Sequence, residues 1–504
     1  MKKFVLFFIL ILLSGCTPTE NQQLSDILDE IYIESIVTED VRFPEKFKLN
    51  NEEVVAIWSS DKPRVISIDG KITRGLYDEE VTLSVNLFYR NEVEGKSFTV
   101  TVPGSLELQG YSIVYNLNMP EQITQDLDLP TEFAFDTRGT WASSDETVLT
   151  NTGKIPDDFT GAETIILTLT LDSGYRELFT IRVSRNNHLI TDRNFNGESK
   201  NLTLNDAGKL VLNADSLEGV YESKVYETLN FTDAVASWSA VSHEKGTVEL
   251  LVRVRVNDEW SHYRTHGKWG LGLENRMPII QPDPANIIAD DGIVVKGQKT
   301  AEAIQFKTIL RRETLSDTSP ELALIAAALN VPNYIYKVDT SKLRSKIDYD
   351  VPMLDQRIVP EIGNIICSPT SSTMLLLYKG HDFSNVEGFD YPHEYIANLV
   401  KDYGRTSYAY GSWTYNTVGI SAFDEISYVK RMYSGDELLY HLDNIGPISA
   451  SVQGTLIGEF GNPWYTNGHL IVVRGYRIED EQVYILANDP YIDNVYEGYK
   501  IKTL

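Results

Sequence analysis

The chain has two cysteines in 504 residues, and Cys367 opens the run Cys367-Ser368-Pro369-Thr370-Ser371-Ser372. If Cys16 carries a lipid, Cys367 has no disulfide partner. A lone thiol with a histidine and an acid downstream is a candidate nucleophile. The sequence predicts a helix from Pro369 to Lys379, with proline in the first turn, where its missing N–H costs nothing, and Gly380 as the stop. Met374, Leu375 and Leu377 offer that helix a face to bury. Cys367 then stands at a helix N-terminus, where the dipole and free N–H groups favour thiolate over thiol. Gly468-His469 begins an apolar strand, Leu470 to Tyr476, and a second strand, Val483 to Ala487, runs into Asn488-Asp489-Pro490. The polar stretch 477–482 between them reads as a turn, so the two strands are expected to pair antiparallel and bring His469 near Asp489. Asp489 would then fix the imidazole tautomer, and His469 would take the proton from Cys367. Gln356 lies 11 residues before Cys367 and can donate its amide to an oxyanion, together with the Cys367 backbone N–H. His381, His393 and His441 sit in polar or helical contexts and are poor candidates for the base.

Taken in order, Gln356, Cys367-Ser368-Pro369-Thr370-Ser371, Gly468-His469 and Asn488-Asp489-Pro490 resemble the papain-fold cysteine peptidases akin to bacteriocin-leader (double-glycine) peptidases. More narrowly, they resemble the secreted bacterial relatives with unassigned substrates. Tyr403-Gly404, Gly411-Ser412-Trp413-Thr414-Tyr415-Asn416, Ser434-Gly435-Asp436-Glu437 and Ile445 to Val452 extend the likeness over about 348–500. It implies an α+β papain-like domain at 348–504 that acts on a peptide or protein substrate and needs no metal or organic cofactor. It further implies that Cys367 is the nucleophile, His469 the general base and acid, Asp489 its orienter and Gln356 the oxyanion donor. Ser412 departs from the family, which often has asparagine there, and the usual aromatic end of the domain is shortened before Leu504. Tyr408, Tyr410, Trp413 and Tyr415, with Gly468, are candidates to line a substrate groove, and packing explains the rings equally well. Two other functions fit the same residues: a hydrolase of cell-wall peptides, and a surface adhesin with an inactive peptidase-like domain.

The N-terminal elements bear on where such a site would act. Lys2 and Lys3 precede ten wholly apolar residues, Phe4 to Leu13. A membrane-spanning helix needs about 20 apolar residues, so the segment is expected to be a secretion signal. Leu13-Ser14-Gly15-Cys16 resembles a bacterial lipoprotein processing site. That likeness implies a signal peptide over 1–15, a lipid on Cys16, a polar tether over 16–27, and anchorage on the outer face of the cell membrane. The formal charge is −27, and removal of Lys2 and Lys3 makes it −29, because residues 1–15 hold no acid. A surface this acidic excludes nucleic-acid binding, which rests on phosphate neutralisation, and repels anionic lipid head groups. A monomer is expected.

Three β-rich modules precede the thiol. Trp58-Ser59-Ser60-Asp61 with Gly70-Lys71-Ile72 recurs as Trp141-Ala142-Ser143-Ser144-Asp145 with Gly153-Lys154-Ile155, and Trp58/Trp141, Gly70/Gly153 and Lys71/Lys154 share one offset of 83. The motif resembles bacterial immunoglobulin-like repeats, which implies small all-β sandwiches at 28–104 and 115–185 with the tryptophans in their cores. Apolar residues at every even position of Val248 to Val256, with mostly charged ones between, and a similar pattern in Ile304 to Arg311, predict half-buried strands of a third, jelly-roll-like sandwich over 190–340. Trp238, Trp260 and Trp269 are assigned mainly to packing, and His243, His262 and His266 to solvent. A short helix is expected around Leu322 to Leu329.

Overall fold

Alternating apolar residues become strands almost wherever they occur. A computed structural model describes residues 23–504 except 160, 244, 277–286, 290–291, 406–408, 458–462, 481, 492–494 and 501–504. The expected signal segment over 1–15, Cys16 and Tyr408 lie outside the described residues. No helix among the described residues is long and apolar enough to cross a membrane. One compact unit gathers Met1–Asn118, Pro130–Trp141 and Leu169–Glu177, and the other gathers Met119–Leu129, Ala142–Thr168 and Leu178–Leu504.

In the first unit, helix α1 (Leu24–Glu30) packs on a four-stranded antiparallel sheet, Lys46–Leu49, Glu52–Ser60, Glu79–Tyr89 and Glu92–Val102, and helix α2 (Leu106–Leu117) follows. Trp58 is 9% exposed, stacks on Phe43 at 4.6 Å and donates its indole N–H to Pro44 O at 3.0 Å. The sequence repeat has a physical cause. Gly70 (φ 79°) accepts a hydrogen bond from Val41 N, and Gly153 (φ 82°) accepts one from Leu127 N. A Cβ at either glycine would fall within 2.3 Å of the carbonyl oxygen opposite, Val41 O or Leu127 O. Both copies therefore need a residue that tolerates positive φ and close backbone approach. Ser67 N to Lys71 O and Thr150 N to Lys154 O repeat at the same offset.

The second unit holds two seven-stranded sheets that face each other as a sandwich. Gly246–Val256 pairs with Ala301–Arg312, Val252 opposite Phe306 and Val254 opposite Ile304, so the predicted alternation buries one face of each strand. Leu322 to Leu329 departs from expectation. It lies within strand Glu321–Asn330, paired with Asp233–Val241 and with Leu189–Asp192. Alanine-rich sequence favours helix locally, but this strand is buried on both faces, and tertiary packing overrides the propensity. Trp238 and Trp269 are fully buried, as is His266, whose ring accepts from Ala236 N at 3.3 Å and so does not face solvent.

The C-terminal part supplies helices α3 (Cys367–Tyr378), α4 (Pro392–Val400), α5 (Trp413–Ser421) and α6 (Gly435–Asn444) and a five-stranded antiparallel sheet. Strand Pro463–Glu479 is central to that sheet and pairs with Lys346–Asp348, Ile448–Ile457 and Gln482–Asn488. Helix α6 closes a small core with the sheet through Leu439 and Leu442, while α3, α4 and α5 also bury residues in a core shared with the sandwich. Leu376, Phe383, Ile396, Val400, Tyr415 and Val418 join the same buried cluster as Trp238, Trp269, Leu322 and Ile325 of the sandwich. Polar groups stitch the joint: Thr414 Oγ1 donates to Ala236 O (3.0 Å), Ala240 N to Ser421 Oγ (3.0 Å) and Trp269 Nε1 to Leu399 O (3.2 Å).

A buried carboxylate closes another part of this joint. Glu437 is 1% exposed, with Lys430 Nζ at 2.9 Å and His188 Nε2 at 3.2 Å, and it accepts from Tyr433 N at 2.8 Å. Burial pushes its carboxyl up, but the bonds from His188, Lys430 and Tyr433 outweigh this and hold it at about 2. Its contribution to stability is therefore present above the ordinary carboxylate range and is lost as pH falls towards 2. Glu437→Gln is expected to cost about 3 kcal/mol, read as a lower urea midpoint at pH 7. An unchanged midpoint would contradict this account of the joint.

Candidate active site

Helix α3 places Cys367 at its first position, half-buried and free of any disulfide. Pro369 sits in the first turn, as the sequence requires. The helix ends where Gly380 (φ 93°) allows His381 N to reach Leu376 O (3.1 Å) and Gly380 N to reach Leu377 O (2.9 Å), a Schellman closure. Met374 and Leu376 are its fully buried apolar residues, while Leu375 and Leu377 are half-buried. The helix is buried nearly all round, so its hydroxyls turn inward. Thr370 and Thr373 donate back to the carbonyls of Ile366 and Pro369, at 2.7 Å each. Ser371 Oγ donates to Leu470 O at 3.2 Å, which fastens the thiol's helix to the strand residue beside His469.

His469 lies opposite Val452 in the sheet and is 7% exposed. Asn488 lies opposite Val472, so Asp489 follows at the same end of the two neighbouring strands. His469 Nε2 is 2.7 Å from Asp489 Oδ1, and Cys367 is close enough to the ring to act on its charge. Asp489 is fully buried, and the same oxygen accepts from Tyr491 N at 2.9 Å. Burial pushes the imidazolium down. The hydrogen bond that the ring donates to Asp489 and the nearness of Cys367, with the charges of both, override it and raise His469 to about 9. The structure thus brings together a sulfur, an imidazole and a carboxylate, with the imidazole bonded to the carboxylate and the sulfur beside it.

Gln356 begins a short 3-10 turn, Gln356–Ile358, and is 1% exposed. Its main-chain N donates to Pro490 O at 2.8 Å, tying the turn to the residue after Asp489. Its side-chain Nε2 donates to Gly363 O at 2.7 Å, which leaves one amide N–H for another acceptor. Asn488 Nδ2 bonds Val351 O (2.8 Å), and Tyr349 N bonds Arg474 O (2.9 Å), so the segment before Gln356 is laced onto the sheet.

The aromatic candidates divide. Tyr415 is fully buried between the sandwich and α5: a Cβ on Gly267 would lie 3.0 Å from its ring and 3.1 Å from Trp238. Tyr415 is therefore core and does not line a groove, because the sandwich covers the helix face that a separate peptidase domain would leave open. Tyr410 is 7% exposed and packs with Ile366, the residue before the nucleophile, so it supports Cys367 from beneath. Trp413 is 37% exposed, and Gly468 is exposed with nothing within 4 Å of an added Cβ, so these two remain open to a ligand. Ser412 caps α5 by accepting Tyr415 N at 3.3 Å.

Sequence reasoning missed Asn416. It donates to Tyr410 O (2.9 Å) and Ser412 O (2.8 Å), and its Oδ1 lies 3.5 Å from Ser372 Oγ, which holds the loop before α5 against α3. No spacing in the sequence points to it. His393 and His441 are buried and pushed down to about 4 by burial, and His381 pairs with Glu425 at 3.1 Å. No cluster of metal-ligating side chains occurs among the described residues.

Comparison with known families gives three matches. Residues 349–503 match the Peptidase_C39 like family, 193–330 a Peptidase C39 N-terminal domain, and 22–105 an atrophied bacterial Ig domain. No curated protein matches the chain. Among solved structures, carbohydrate-binding modules from the β-sandwich superfamily align at 10% identity and a TM-score of 0.14, over 55% of this chain and 97% of theirs. Tripeptidyl peptidase 2 aligns at 8% identity and 0.13, over 54% and 20%. The CBM51-2 and INT domains of Clostridium perfringens ZmpB align at 10% and 0.12, over 74% and 94%. Likenesses this weak carry no argument about this chain.

Proposed function

Starting from a chain that carries a C39-type cysteine-peptidase domain behind an Ig-like region, we propose that it hydrolyses peptide bonds through Cys367, His469, Asp489 and Gln356. The observation that carries this is the imidazole of His469, bonded to Asp489 at 2.7 Å and set beside Cys367. The Cys367 thiolate, whose proton His469 has taken, attacks the peptide carbonyl carbon, a C–S bond forms, and the carbonyl electron pair moves onto oxygen. The free amide N–H of Gln356 and the main-chain N–H of Cys367 donate to that oxyanion. His469 gives its proton to the departing amine as the C–N bond breaks, leaving a thioester. Water then adds to the thioester, His469 takes its proton, and the acid leaves as the sulfur is regenerated. Every group in this sequence belongs to the chain, the substrate or water. Profiling a peptide library with wild-type and Cys367→Ala protein tests the proposal: cleavage by the first and none by the second is expected. Equal cleavage by both, or none by wild type, would overturn it.

We place this activity on the outer face of a bacterial membrane, held by a lipid on Cys16, on the strength of Leu13-Ser14-Gly15-Cys16 alone. Detergent-phase partitioning of the expressed protein, lost in Cys16→Ala, supports the anchor, and partitioning that survives the substitution contradicts it.

A further inference from the structure

We infer that Arg474 is a positioning residue for Asp489: its guanidinium, re-aimed by a β-bulge, grips Asn488 and so directs the carboxylate that follows. This rests on the peptidase function proposed above and gives that site a member outside the four reacting groups. Arg474 interrupts the apolar run that follows His469. Val473 lies opposite Ala487 and Gly475 opposite Leu486, so Arg474 is an extra residue with no opposite number, a bulge. The strand Lys346–Asp348 comes close here, and an added Cβ on Gly475 would fall 2.0 Å from Ile347 O. The Arg474 side chain is buried, and its Nε donates to Asn488 Oδ1 at 3.1 Å while Nη1 donates to Asp348 Oδ1. Asn488 is 1% exposed, and its Nδ2 donates to Val351 O at 2.8 Å. Both ends of the Asn488 amide are therefore fixed, one by the His469 strand and one by the segment that leads to Gln356.

The place of Asn488 gives this grip its use. The strand Gln482–Asn488 ends there, with Asn488 opposite Val472, and Asp489 is the first residue beyond the ladder. Sheet pairing thus sets where Asp489 begins but not where its carboxylate points. Gln356 N holds the far side through Pro490 O (2.8 Å), and Arg474 holds the near side through Asn488. Packing alone does not ask for arginine. Burying an ion pair is costly, and apolar residues of similar volume often serve stability as well. Arginine adds a rigid fork whose donors reach two acceptors in fixed directions, here one acceptor on each of the two segments that carry Gln356 and Asp489.

The test compares Arg474→Met and Arg474→Gln with wild type in the full-length protein. The probe is the fluorogenic library peptide that wild type turns over fastest, with circular dichroism to confirm folding. Glutamine places an amide N–H where arginine has Nε, so it keeps the donor to Asn488 and loses the charge; methionine keeps the length and loses both. Arg474→Met is expected to lower kcat about tenfold with KM nearly unchanged, since the loss falls on the aim of the base and not on substrate binding. Its alkaline limb, expected near 9 in wild type, should move to lower pH, because His469 loses part of its bond to Asp489. Loss of a nearby positive charge by itself would move that limb the other way. Arg474→Gln should recover most of kcat and return the limb towards wild type. Equal losses in the two variants, a limb that stays or rises in Arg474→Met, a change confined to KM, or no loss of kcat overturns the inference. If Arg474→Met does not fold, Asn488→Ala takes its place under the same criteria. Any of these results alongside wild-type turnover sinks only this inference. No wild-type turnover of any peptide sinks the peptidase function and this inference with it.

Discussion

Replacing Cys367 with alanine is expected to lower peptide hydrolysis by on the order of 10⁶-fold, to background, while circular dichroism and thermal unfolding stay close to wild type. In the proposed mechanism the sulfur is the one group that bonds covalently to the substrate, so its removal should leave only background hydrolysis. Loss of the sulfur leaves a half-buried position that alanine fills without burying an unpaired charge. Asp489→Asn is expected to cost less, about 10³–10⁴-fold, because the imidazole is misoriented rather than removed. The pH profile separates the two roles further. His469 is raised to about 9 despite burial, by its bond to Asp489 and the nearness of Cys367. Its protonated form persists through neutral pH and is lost as pH rises through about 9, so kcat/KM should fall on the alkaline side near that value. In Asp489→Asn the carboxylate charge is gone and burial remains, so the alkaline limb should move to lower pH. A profile unaffected by that substitution would contradict the assignment of Asp489.

The second large effect concerns the boundary of the catalytic part. A fragment of residues 346–504 alone is expected not to fold. It would expose Leu376, Phe383, Ile396, Val400, Tyr415 and Val418, which are buried against the sandwich in the intact chain. At about 2 kcal/mol for each buried side chain, the loss is on the order of 10 kcal/mol, as large as the net stability of a typical domain, about 5–15 kcal/mol. Far-UV and near-UV circular dichroism with a urea titration would check this: loss of near-UV signal and of a cooperative transition is the expected result. A fragment with a sharp transition would show that the sandwich is dispensable. Gly267→Val tests the same joint in the whole chain, since Gly267 has φ 147° and its Cβ would crowd Tyr415 and Trp238.

The sequence made some of this legible because some residues have a single use. Gly70 and Gly153 mark a turn that only glycine fits, so the repeat was visible as an offset of 83. Val248 to Val256 has one wet face and one dry face, and a period of two declares that. The polar stretch between His469 and Asn488 separates two apolar runs of strand length, and the structure pairs them antiparallel. The shared core was not legible. Its helices α3 and α5 bury hydroxyls such as Thr370, Ser371, Thr373 and Thr414 with their backs bonded to carbonyls, so they show no polar face to mark an outside. Strand Glu321–Asn330 is dry on both faces, and a continuous apolar run does not distinguish strand from helix. Tyr415, a candidate for the groove, was hidden for the same reason: its burial depends on a strand some 180 residues away, as the Ala240 bond to Ser421 shows. His266 was assigned to solvent because its spacing from His243 and His262 suits no metal, while in space it faces the buried backbone of Ala236.

The most direct test is the rate at which a peptidyl chloromethyl ketone alkylates Cys367 at pH 7, followed by intact mass and peptide mapping, in wild type and in His469→Ala. A thiol beside an imidazole held at about 9 should label fast and at that one residue. His469→Ala should slow it by about 100-fold or more. Equal rates in the two proteins, or no adduct on Cys367 in wild type, would contradict the claim that sulfur, imidazole and carboxylate work as one unit.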